Sequence, residues 1–133
     1  MKKAPVFLIT IMILFFVTGT AVAVFESGPS SPETIRGKIT YKGPANVDLQ
    51  TIVVEAHQRG NFGDRPVSRA TLKGPGDYEL KIKSGIYYLR AFVDRNGNGT
   101  LDENEPVGEY DKTKAVVLPP LSSKMGVNIV IEE

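Results

Sequence analysis

From Thr34 onward, apolar residues recur at every second position rather than every third or fourth, which is the period of a half-buried strand. Ile35, Gly37, Ile39 and Tyr41 share one face, with Arg36, Lys38 and Thr40 on the other. Ile52, Val54 and Ala56 alternate in the same way with Val53, Glu55 and His57. In Tyr78-Glu79-Leu80-Lys81-Ile82-Lys83 three apolar residues point one way and an acid and two lysines the other. Tyr87, Leu89, Ala91 and Val93 form the next inward set, and Val127, Ile129 and Ile131 the last. Between these runs lie Lys42-Gly43-Pro44, Gly60-Asn61-Phe62-Gly63-Asp64, Gly74-Pro75-Gly76-Asp77 and Ser84-Gly85, all turn-forming sequences. No window offers an amphipathic helix longer than a turn or two. The expected fold is all-β, a single antiparallel β-sandwich of about seven strands over residues 34–133.

The first residues have a different character. Met1-Lys2-Lys3 precedes Ala4–Phe25, which carries no charge, and Ala21-Val22-Ala23 has the small-x-small form of a signal-peptidase site. Residues 1–23 therefore read as a signal peptide or, uncleaved, as a membrane anchor, since residues 4–25 are long enough to span a bilayer at about 20 residues. Either way an export helix directs the rest of the chain out of the cytoplasm, with Lys2 and Lys3 left inside. Contact with a membrane is expected only through this segment, if it is retained. Residues 24–33, rich in Ser, Pro and Gly, read as a linker.

Composition removes many chemistries. Lys and Arg number 16 against 15 Asp and Glu, so no basic excess exists to hold a nucleic-acid backbone. The absence of cysteine excludes disulfides, thiolate metal sites and thiol nucleophiles, and His57 is the single histidine. No Gly-Lys-Ser/Thr loop, Gly-x-Ser-x-Gly elbow or His-Glu-x-x-His pair occurs. No enzymatic activity is expected. His57, alternating outward, reads as a surface histidine. Val53, Tyr88 and Phe92 also alternate outward, as an interaction patch or as a surface covered by a loop. Arg59–Arg65, with Phe62 between glycines, reads as a mobile loop or, alternatively, as a binding tip.

One stretch carries specific chemistry. Asp94-Arg95-Asn96-Gly97-Asn98-Gly99-Thr100-Leu101-Asp102-Glu103-Asn104-Glu105 matches the twelve-residue calcium loop of EF-hands. Ca²⁺ takes six to eight hard oxygen ligands at about 2.3–2.6 Å, so ligands must alternate around one tight turn. Asp94, Asn96 and Asn98 supply side-chain oxygens, Gly99 permits the turn, and Thr100 offers its carbonyl. Asp102 coordinates directly or through water, and Glu105 closes the site as a bidentate carboxylate. With three carboxylates, affinity should fall at about 10⁻⁵ to 10⁻³ M, the range of weak and extracellular sites. The flanks are not helical: the loop follows a strand, and Pro106 limits any helix after it. The competing interpretation is an Asn-Gly turn held by its own Asx hydrogen bonds without metal.

Gly37-Lys38-Ile39-Thr40-Tyr41, Gly76-Asp77-Tyr78-Glu79-Leu80 and Gly85-Ile86-Tyr87-Tyr88-Leu89-Arg90-Ala91-Phe92 resemble transthyretin-like sandwich domains. That group includes the carboxypeptidase regulatory-like domains and the B-type repeats of collagen adhesins. The resemblance spans about residues 34–131 and implies a spacer, folding aid or binding module. Many B-type repeats carry a Lys–Asn isopeptide bond promoted by a buried Glu, a position that falls at Ala91 here. Lys38 and Asn128 both alternate outward, so no such bond is expected. The run from Tyr87 through Gly99, with Glu105-Pro106-Val107-Gly108-Glu109-Tyr110 after it, resembles a recurrent element of bacterial surface proteins. The resulting expectation is an exported, non-catalytic calcium-binding module whose ion pins a long loop beside a binding surface. Its partner would be a protein or a surface polysaccharide. The alternative is a membrane-anchored surface or periplasmic interaction module with a metal-free loop.

Overall fold

The computed structural model describes residues 33–44, 50–112 and 114–133. The export segment and residues 24–32 of the linker lie outside them. The alternating runs become β1 (Thr34–Lys42), β2 (Thr51–His57), β4 (Gly76–Lys81), β5 (Gly85–Asp94) and β9 (Ile129–Glu132). Further strands fill the intervals: β3 (Ser68–Lys73) and the short β6 (Val107–Glu109), β7 (Val116–Leu118) and β8 (Ser123–Lys124), with a 3₁₀ turn at Tyr110–Lys112. The described residues thus hold nine strands rather than about seven, because the segment after Asp94 pairs in short pieces instead of running as loop.

The strands form two sheets, one ordered β4-β1 with β8 and β9 on the far side of β1, the other β3-β2-β5 with β6 and β7 beyond β5. The second is antiparallel throughout. The first is mixed, which corrects the expectation of a purely antiparallel sandwich. β1 pairs antiparallel with β4 but parallel with β8 and β9, Ile39 opposite Ile129 and Tyr41 opposite Ile131. The long excursion through the second sheet supplies the crossover that parallel neighbours require. Glu33, just before β1, is already held: its carbonyl accepts from Ile82 N at 3.0 Å and its carboxylate from Leu121 N at 3.1 Å.

Inward residues of both sheets make one core. Ile35, Ile39, Ile52, Val54, Leu80, Leu89, Val93, Val127, Ile129 and Ile131 are buried in a single cluster. Tyr78 belongs to it and donates its hydroxyl to Val127 O at 2.6 Å. At one edge the two sheets come into backbone contact: a Cβ on Gly108 of β6 would lie 2.0 Å from the carbonyl oxygen of Val130 in β9. Only glycine fits there.

The outer face of the second sheet departs from the sequence reading. Val53, Glu55, His57 and Phe92 point outward, as alternation requires, yet all are buried. The segment after His57 folds back over the His57 end of this face: Gln58 N donates to Asp64 Oδ2 at 3.0 Å, and Val67 N to Ala56 O at 2.8 Å. Phe62 is not a free tip, for its ring meets His57 edge-on at 5.2 Å and lies 5.0 Å from the Arg90 guanidinium. Beneath it, Glu55 Oε2 accepts from Arg90 Nε at 2.9 Å and faces His57 Nε2 at 3.0 Å, while Oε1 pairs with Arg69 at 2.8 Å. His57 Nδ1 lies 3.1 Å from the Asp64 carbonyl. His57 is a buried member of a charged cluster, not a surface residue.

Two outcomes follow from this architecture. Leu80→Asp or Leu89→Asp would bury a carboxylate without partners and should leave no soluble, cooperatively unfolding domain. Lys81→Asp, exposed on the opposite face, should shift stability by no more than about 0.5 kcal/mol in urea melts. The second concerns acid. Burial pushes the Glu55 carboxyl up, but hydrogen bonds from His57 and Arg90, with the charges of Arg90 and Arg69, outweigh it and hold it below the ordinary value of 4.5. A carboxyl whose folded-state pKa is depressed stabilises the fold above its unfolded-state pKa and loses that contribution as pH falls through the folded value. Glu55→Gln should therefore be less stable than wild type at neutral pH, with the gap closing on acidification below 4.5. Urea midpoints across that range test it; a constant or widening gap would contradict the assignment.

Candidate metal centre

β5 delivers Asp94 to the end of the second sheet, opposite Thr51 of β2, with its side chain only 5% exposed. The chain leaves there and returns at β6, where Val107 pairs with Phe92 and Val93 N donates to Pro106 O at 2.9 Å. The candidate loop is thus a closed excursion between two hydrogen-bonded neighbours.

Inside it, acceptor oxygens at alternate positions take successive backbone amides. Asp94 Oδ2 accepts from Gly99 N at 2.8 Å, Asn96 Oδ1 from Asn98 N at 3.1 Å, and Asn98 Oδ1 from Thr100 N at 2.9 Å. Gly97 and Gly99 adopt φ of 72° and 73°, the left-handed region that glycine enters without strain. Asp102 Oδ2 accepts from the side-chain amides of both Asn96 and Asn98, at 2.7 and 2.8 Å. Glu105, 8% exposed, spans the far side: Oε1 accepts from Arg95 N at 2.8 Å and Oε2 from Asp102 N at 3.0 Å. Five of the six residues expected as ligands, Asp94, Asn96, Asn98, Asp102 and Glu105, therefore bond to one loop through their side chains. The sixth, Thr100, enters through its backbone amide.

Asp94 Oδ1 stands apart. It is buried and has no hydrogen-bond partner among the described residues. A buried carboxylate oxygen without a donor is costly, and a cation or donor placed against it would remove that cost. No group of three His, Asp or Glu side chains among the described residues has converged to metal-holding distance. Both Glu105 oxygens face amides, although each keeps a second lone pair.

Two arginines that are not among the expected ligands fix the loop, Arg69 from outside it and Arg95 from within. Arg69 of β3 donates to the Gly99 carbonyl while pairing with Glu55 at 2.8 Å, so it joins the buried charge cluster to the loop. Arg95 reaches Glu133 at 2.5 Å and the Asn104 carbonyl at 3.3 Å, and Glu133 also accepts from the Tyr41 hydroxyl of β1. Arg69 is legible only as an outward residue of a short strand poor in large apolar residues, so no local signal marks it. Between the loop and the sheet opens a cleft of about 300 Å³, lined in part by Thr51, Val53, Arg69, Thr71, Asp94 and Asn98.

No family model matches the chain, and no curated protein matches it. Among solved structures, it is similar to an alternative pilotin from the type II secretion system of Vibrio cholerae. The two share 17% identity, with a TM-score of 0.48, over 75% of this chain and 95% of that one.

Proposed function

We propose that this chain is an exported, non-catalytic calcium-binding β-sandwich module in which the ion fastens loop 94–105 beside a partner-binding surface. The buried Oδ1 of Asp94, which has no hydrogen-bond partner among the described residues, carries this reading, because position 1 of the motif is where a cation would supply one. Asp94, Asn96, Asn98, Asp102 and Glu105 would hold the ion through side-chain oxygens and Thr100 through its carbonyl. The neighbouring cleft, with Thr51 and Thr71 in its lining, is the surface such an ion would stiffen for a protein or polysaccharide partner. Export rests on the charge-free segment and the Ala21-Val22-Ala23 site. A second reading has its own support. Glu105 already closes the loop by accepting two backbone amides, which favours a loop complete without metal on a membrane-anchored interaction module.

Melting of the purified exported domain separates the two. A ligand that binds only the folded state stabilises it by about 2.7 kcal/mol at a hundredfold excess over Kd. For a domain near this size the melting temperature should rise by about 10–20 °C. Millimolar Ca²⁺ should produce that rise relative to chelator, and Mg²⁺ much less. Glu105→Gln and Asp94→Ala should each remove most of it, whereas Asp111→Asn, outside the loop, should retain it. Coincident melting curves in calcium and chelator, with no heat of binding by calorimetry, would leave the metal-free reading standing.

A further inference from the structure

We propose that Asn96 is a site of spontaneous deamidation and that Asn98, two residues on in an identical Asn-Gly pair, is protected by the fold. Of the asparagines in the chain, only these two precede glycine, where an unhindered amide nitrogen follows the side chain. In the reaction the backbone nitrogen of the following glycine attacks Cγ of the asparagine. A C–N bond forms, that nitrogen loses its proton to solvent base, and the Cγ–Nδ2 bond breaks with release of ammonia. The resulting succinimide adds water at one of its two carbonyls. Opening at Cγ gives aspartate; opening at the backbone carbonyl gives isoaspartate. The balance is asparagine plus water to aspartate or isoaspartate plus ammonia.

The two sites share most of their surroundings. Both asparagines are exposed, and both side-chain amides donate to the same Asp102 Oδ2, at 2.7 and 2.8 Å. The leaving groups are held alike. Their nucleophiles are not. Gly99 N donates to the buried Asp94 carboxylate at 2.8 Å, so attack on Asn98 must first break a charge-assisted hydrogen bond. Gly97 is exposed, and its N–H has no hydrogen-bond partner among the described residues. Asn96 should therefore convert about tenfold or more faster than Asn98 in the folded chain. Each conversion adds one negative charge to the loop. The chemistry goes beyond the calcium reading and stands without it.

The test is incubation of the full chain at mildly alkaline pH in chelator, so that no metal is involved, followed by peptide mapping with fragmentation that distinguishes aspartate from isoaspartate. Asn96 should accumulate both products well ahead of Asn98. In urea, where the Asp94 contact is lost, the two rates should approach each other. Asn98 converting as fast as Asn96 in the folded chain would overturn the proposal. So would the same rate ratio in folded and unfolded chain, because sequence alone would then set it.

Discussion

Everything in this domain is arranged around the pairing of β2 with β5, an antiparallel ladder running from Thr51 opposite Asp94 to His57 opposite Tyr88. Its inner face contributes Ile52, Val54, Ala56, Leu89, Ala91 and Val93 to the core. Its outer face carries Glu55 beside Arg90 and Val53 beside Phe92. Its end sets Asp94 at the mouth of the loop. A slip of one residue in this register would exchange the two faces, bringing charged side chains into the core and turning Asp94 away from Gly99.

The two buried carboxylates on that ladder are treated differently. Glu55 is surrounded by Arg69, Arg90 and His57, which together offset the loss of water. Asp94 has one oxygen satisfied by Gly99 and the other by no group among the described residues. Arg69 touches both surroundings, through Glu55 and through the Gly99 carbonyl. One sheet face thus carries a saturated carboxylate at Glu55 and an unsaturated one at the mouth of the loop.

Alternation made the inward residues legible. Ile35, Ile39, Leu80, Leu89, Ile129 and Ile131 are buried where a period of two places them. It gave direction without exposure, however. His57 and Glu55 point outward yet are covered, because covering depends on Phe62 and a connecting loop that carries no strand pattern of its own. Strand β3 has only Ala70 and Leu72 to signal it, so the position of Arg69 was not readable. Nor does alternation choose partners: nothing in Ile129–Glu132 specifies that it lies parallel to β1 rather than antiparallel to another edge. The loop was legible because its oxygens are spaced locally, by the demands of one turn. The orphaned oxygen was not, because burial of Asp94 arises from the packing of the sheet around it.

The parallel placement of β9 against β1 also has a mechanical side. Because the two strands run in the same direction, the chain enters β1 at one end of their shared ladder and leaves β9 at the other. Tension applied before Thr34 and after Glu132 would slide the strands lengthwise past each other. The ladder from Ile39–Ile129 to Lys42–Glu132 would then be loaded in shear, its bonds strained together rather than unzipped one at a time. Resistance to extension is thus built into the strand order.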